Sequence, residues 1–216
     1  MIVTIYGHLH KFNIEHCCLI VCTMPVIKYK EQLKRVLHRP VFGVGDLINQ
    51  GIPQPYAKKL LSSLAKSSTI IRIERGKYTT LDDPVVVGTH LTIPCYLSFW
   101  SALSIRMLTT QQPFAVEIVT TRPRFLRRIT FSGTPLIYYT ARPTMLYGYE
   151  YILWKDHRIP VARPEKIIID ALYFHALPLD ELDEVFSVTN PKLLQTYAKM
   201  THDARIIAIV EEKIAC

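Results

Sequence analysis

At 216 residues the chain exceeds the commonest single-domain size of about 100 to 150 residues, so a small unit and a larger one are expected. Hydrophobic residues make up 49% of it and charged residues 20%, a balance that excludes extensive disorder and supports a filled core. The net charge of +8 favours a polyanion as partner, and no apolar run reaches the roughly 18 residues that would span a bilayer.

The charge is unevenly placed. Residues 25–83 hold eleven Lys/Arg and five Asp/Glu, a net +6, whereas residues 84–216 hold fourteen and twelve, a net +2, and residues 1–24 are neutral. A basic surface confined to one segment suits phosphate neutralisation with counterion release, so nucleic acid is the leading partner and an acidic membrane the second. The first residues do not read as a secretory signal, since His8, His10, Lys11, Asn13, Glu15 and His16 interrupt the apolar stretch, and a cytoplasmic location is the expectation. Five cysteines, an odd number unevenly spread, do not make a disulfide framework.

In chain order, residues 1–24 come first. His8, His10, His16, Cys17, Cys18 and Cys22 invite a metal reading, but adjacent Cys17 and Cys18 fit no zinc spacing. A poorly ordered extension is the preferred reading, with Met24 a candidate start; no metal site and no cofactor are expected.

From Pro25, Tyr29, Leu33, Val36 and Leu37 recur at helical spacing while Lys28, Lys30, Gln32, Lys34 and Arg35 take the other face. Arg39-Pro40 ends this helix, and Val41–Val44 reads as a short strand. Gly45-Asp46 offers a cap for a second, short helix closed by Gly51; Gly43-Val44-Gly45 is thus better read as a strand-to-helix turn than as a fragment of a dinucleotide loop. After the turn at Ile52-Pro53-Gln54-Pro55, Ala57, Leu60, Leu61 and Leu64 form one apolar stripe, leaving Gln54, Lys58, Lys59, Ser62, Ser63 and Lys66 off it. Thr69–Glu74 then alternates as a strand, Arg75-Gly76 turns, and Lys77–Leu81 returns. Each piece has an ordinary explanation, a solvated helix face or a charge-protected edge strand. Their order within about sixty residues is that of a winged helix-turn-helix, the expectation for residues 25–83. The DNA-contacting residues expected are Gln54, Lys58, Lys59, Ser62 and Ser63 on the recognition helix and Arg75, Gly76 and Lys77 on the wing.

Asp82-Asp83-Pro84 reads as the boundary of a second domain, residues 84–216. There we expect a helix over Pro94–Leu108, strands over Phe114–Thr120, Arg128–Phe131, Leu136–Tyr139 and Tyr149–Trp154, and helices over Pro164–Phe174, Leu179–Phe186, Pro191–Met200 and Ala204–Ile214. Helix, strands, then helices predicts an α+β fold with a helical C-terminus rather than a doubly wound sheet. Arg122, Arg124, Arg127 and Arg128 form a second basic patch, open as a phosphate contact, a site for an acidic partner or a solvated loop.

Chemistry is scarce. GxSxG, HExxH, CxxC and P-loop signatures are all missing. Glu165, Lys166 and Asp170 resemble a nuclease-like carboxylate and lysine set, but read as residues on different helix faces they are assigned to capping and surface charge. The expectation is a binding protein rather than an enzyme.

Four blocks carry a family resemblance: Tyr56-Ala57-Lys58-Lys59-Leu60-Leu61; Arg72-Ile73-Glu74-Arg75-Gly76-Lys77-Tyr78; Leu97-Ser98-Phe99-Trp100-Ser101-Ala102-Leu103 with Leu108-Thr109-Thr110-Gln111; and Val161-Ala162-Arg163-Pro164-Glu165-Lys166 through Asp170-Ala171-Leu172. Over about residues 26–175 these resemble the AbiEi family of type IV toxin-antitoxin antitoxins and related prokaryotic transcriptional regulators. The resemblance implies a winged helix that binds operator DNA and represses its own operon, and an antitoxin domain that counters a nucleotidyltransferase-like toxin without necessarily touching it. It places DNA contacts at Tyr56, Lys58, Lys59, Arg72, Arg75 and Lys77 and implies no catalytic residue. The expected partner is double-stranded DNA of its own promoter, an inverted repeat holding two copies. Alternatives from other classes are a direct protein inhibitor of the toxin and a metal-dependent nucleic-acid enzyme built on Glu165 and Asp170.

Overall fold

A computed structural model describes residues 28–178 and 180–215; the N-terminal extension and its His/Cys stretch lie outside them. The chain divides into two compact units, one ending at Asp83 and the other beginning at Pro84.

In the first unit, α1 (Lys30–Leu37), β1 (Phe42–Gly43), α2 (Val44–Asn49), α3 (Gln54–Lys66), β2 (Ile71–Glu74) and β3 (Lys77–Thr79) follow one another. The three strands form an antiparallel sheet in the order β1-β3-β2. One core joins the stripes read from the sequence: Leu33, Val36 and Leu37 of α1, Leu47 of α2, and Ala57, Leu61 and Leu64 of α3 pack with Phe42, Ile52, Ile70 and Tyr78. The cap of α2 differs from expectation. The helix begins at Val44, and Asp46 sits a turn inside, where its Oδ2 accepts the Gly43 N–H at 2.8 Å while Oδ1 meets Arg39 at 2.6 Å. A carboxylate reaching back from the third helical position satisfies an amide the helix leaves open. Gly43 is needed for space: a Cβ there would lie 2.5 Å from the Gly76 carbonyl oxygen. Gly76 itself has φ +77° at the β2–β3 turn, a left-handed conformation that glycine adopts without steric cost.

The second unit is mixed α+β with a helical C-terminus. It comprises α4 (Pro84–Leu91), β4 (Cys95–Leu97), α5 (Phe99–Ile105), β5 (Val116–Thr120), β6 (Arg128–Phe131), β7 (Thr134–Thr140), β8 (Tyr149–Trp154), β9 (His157–Ala162), α6 (Pro164–Phe174), α7 (Asp183–Ser187), α8 (Pro191–Met200) and α9 (Ala204–Ala215). Its six-stranded sheet runs β6-β7-β5-β4-β9-β8, with β5/β7 and β4/β9 parallel and the other pairs antiparallel. Side chains at alternate positions divide the two faces. Cys95 and Tyr138 reach backbone oxygens of α4 on one face, whereas Tyr96 reaches α6 on the other. The central strands β4 and β5 are therefore buried along their whole length.

That burial explains the main correction. The helix expected over Pro94–Leu108 is a strand followed by a shorter helix, because a strand buried on both faces shows a continuous apolar run that periodicity cannot separate from a buried helix. The helix expected from Leu179 is a 3-10 turn at Asp180–Leu182 leading into α7. Helix α4 and strand β9 were not anticipated. Among the described residues no helix is long and apolar enough to cross a membrane.

Candidate nucleic-acid interface

Helix α3 owes its position to its stripe: Ala57, Leu61 and Leu64 are buried. At about 3.6 residues per turn, Lys59, Ser62 and Lys66 then project directly away from the core, with Tyr56 and Ser63 on one flank and Gln54 and Lys58 on the other. All seven are exposed. The helix carries no acidic residue, so this face is a run of cations, hydroxyls and one amide without a competing carboxylate. Tyr56 also packs edge-on against Tyr29 of the preceding segment, with ring centroids 5.4 Å apart, which fixes the ring where α3 begins.

The hairpin presents Arg72, Arg75 and Gly76 as exposed residues, while Lys77 is half-buried because it pairs with Gly43 on β1 as well as with Glu74 on β2. Arg72 Nε donates to the Glu74 carbonyl at 3.4 Å. The Gly43–Gly76 approach ties the hairpin turn to the strand that opens α2. The structure thus holds both groups of expected contact residues on one small unit.

The second basic patch is only partly a patch. Arg122, Arg127 and Arg128 are exposed, but Arg124 turns inward: its guanidinium lies 4.3 Å from the Tyr138 ring centroid and donates to Thr92 Oγ1 and, at 3.3 Å, to the Leu126 carbonyl.

Sequence reasoning missed a buried polar cluster on α6. Lys166 and Asp170, assigned to surface charge on different faces, are four residues apart on one face and have no solvent exposure; Nζ lies 2.7 Å from Asp170 Oδ1. The approach angle leaves Nζ without a well-formed hydrogen bond among the described residues, and the ammonium instead lies over the Tyr147 and Tyr96 rings at 4.3 and 5.6 Å. Tyr96 and Ser98 donate to the two Asp170 oxygens at 3.2 and 2.8 Å. Burial pushes the carboxyl of Asp170 up and the ammonium of Lys166 down, each opposed by the charge of its partner. Glu165 is also buried and accepts the Asn190 N–H at 2.8 Å, holding the residue that caps α8. The signal for this cluster was the four-residue spacing around Ile167-Ile168-Ile169, an apolar run with no side left for water.

Glu117 on β5 is a third buried carboxylate, accepting from the Trp100 N–H at 3.0 Å and the Tyr139 hydroxyl at 3.2 Å; burial raises its pKa and these donors oppose the rise. Among the described residues no group of three or more His, Cys, Asp and Glu could hold a metal ion. No family model matches the chain, and no curated protein matches it.

Proposed function

We propose that residues 25–83 form a winged helix-turn-helix that binds duplex DNA, with α2 and α3 as the helix pair, α3 as recognition helix and the β2–β3 hairpin as wing. The protein on this reading is a transcriptional regulator of its own promoter. The observation that carries it is the outer face of α3, where three lysines, two serines, a tyrosine and a glutamine stand exposed without an acid among them. Lysines and arginines of such a face set register on phosphates, while short hydroxyl and amide side chains read base edges in the major groove. The four sequence blocks extend this reading to an AbiEi-like antitoxin that represses its operon from an inverted repeat and counters a nucleotidyltransferase-like toxin.

The test is a titration against the promoter fragment and a scrambled duplex over a range of salt. The expected result is promoter binding tighter by about a thousandfold, with a log-log salt slope of several units. Equal, weak binding to both fragments would remove specific DNA recognition and leave the unit as a scaffold for a protein partner. Lys59→Ala or Arg75→Ala is expected to weaken promoter binding by about 1 to 3 kcal/mol if a base edge is read, and by less if only phosphate is touched.

A further inference from the structure

Residues 118–149 contain five arginines and neither Asp nor Glu. Within this stretch the β5–β6 loop carries Phe125, whose side chain is 101% exposed, beside half-exposed Leu126. Phe125 has the highest exposure of any large hydrophobic residue among the described residues, and it stands next to Leu126 within a band of arginines. The loop is pinned at several points. The Arg122 N–H donates to Thr120 Oγ1 at 3.2 Å, the Tyr138 N–H donates to the Arg127 carbonyl at 2.7 Å, and Arg124 anchors the middle through Thr92, Leu126 and the Tyr138 ring. The Phe125 ring is therefore held out by a tied loop, flanked by the exposed arginines Arg122, Arg127 and Arg128.

We propose that this loop is a second nucleic-acid contact, in which Arg122, Arg127 and Arg128 hold phosphates and the Phe125 ring stacks on a nucleobase. Every cation here is arginine, whose planar fork matches phosphate in a two-point contact that lysine cannot make. Aromatic rings framed by such cations are the usual stacking platforms for unpaired or partly unstacked bases. A lipid surface is disfavoured because membrane affinity scales with inserted apolar area, and one Phe with one Leu supplies little. The proposal rests on the DNA-binding reading but uses residues of the other unit.

The experiment uses the full chain and a DNA duplex bearing one bulged 2-aminopurine, with affinity and quenching of the 2-aminopurine both recorded. The wild type is expected to quench the base on saturation, Phe125→Trp to retain quenching, and Phe125→Ala to abolish it while lowering affinity about tenfold. Arg122→Gln, Arg127→Gln and Arg128→Gln combined are expected to reduce the log-log salt slope by about two to three units. Lys59→Ala is expected to weaken binding yet leave quenching at saturation intact. Unchanged affinity and quenching in Phe125→Ala overturns the proposal, and if Lys59→Ala still weakens binding the DNA reading survives. A wild type that binds anionic phospholipid vesicles through this loop and no DNA overturns both.

Discussion

Asp170 is a carboxylate with no exposure whose oxygens are occupied by Lys166, Tyr96 and Ser98, so removing one partner strands the others. Asp170→Leu leaves a buried ammonium and two buried hydroxyls unmatched, and a loss of about 3 to 5 kcal/mol in urea denaturation is expected. His90 offers a pH test. Its Nδ1 lies 2.8 Å from the Val86 carbonyl, and burial, the largest influence, lowers its pKa, with the nearby His157 acting in the same direction. A folded-state pKa below the unfolded value means the imidazole's contribution is present above about 6.5 and is lost as pH falls. The melting temperature of wild type is thus expected to fall more than that of His90→Asn between pH 8 and pH 5, and parallel declines would refute the assignment. Burial at this scale was hard to read. Pro164-Glu165-Lys166 has the composition of an exposed first turn, and only the threefold isoleucine that follows marks α6 as covered all round.

The helices of the first unit were legible because each has one wet face. The stripes of α1 and α3 and the Arg75-Gly76 turn translate directly into packing, whereas the cap of α2 was misplaced and Val44, read as the end of a strand, opens that helix. In the second unit β6, β7 and β8 each retain partly exposed positions; β5, buried throughout, was still legible with Glu117 interrupting its apolar run, whereas β4, equally buried and with no charged residue, was read as helix. Strand β9 hides its character differently: His157 and Arg158 lead it and Pro160 interrupts it, yet its last four residues are buried. A prediction belongs to the β1–hairpin junction. Gly43→Ala forces a methyl against the Gly76 carbonyl, a backbone atom that cannot swing aside. The expected cost is about 1 to 3 kcal/mol in thermal unfolding, accompanied by weaker promoter binding because the hairpin must shift. Normal stability would show that the junction yields.

Over the whole chain, the sequence-level charge division coincides with the division into two units: the segment with net +6 ends where the first unit ends. Not every lysine should then matter. Lys58→Ala with Lys59→Ala is expected to lower the log-log salt slope of DNA binding by about two units. Lys192→Ala with Lys199→Ala, on the exposed side of α8, is expected to leave slope and affinity unchanged. Equal effects from both pairs would mean that overall charge, not the face of α3, drives association.

The Lys166–Asp170 pair also bears on how α6 knows which way to face. From Glu165 through Leu172 every residue of this helix is buried, so greasiness alone would let it turn about its own axis among several settings of similar energy. The ion pair, aimed at Tyr96, Ser98 and Tyr147, marks one direction as the only one in which both charges are met. A chain with Lys166→Met and Asp170→Leu together is therefore expected to fold, yet to show broadened or doubled resonances in the methyl region of its NMR spectrum, as a key worn smooth still enters the lock but no longer stops at one position.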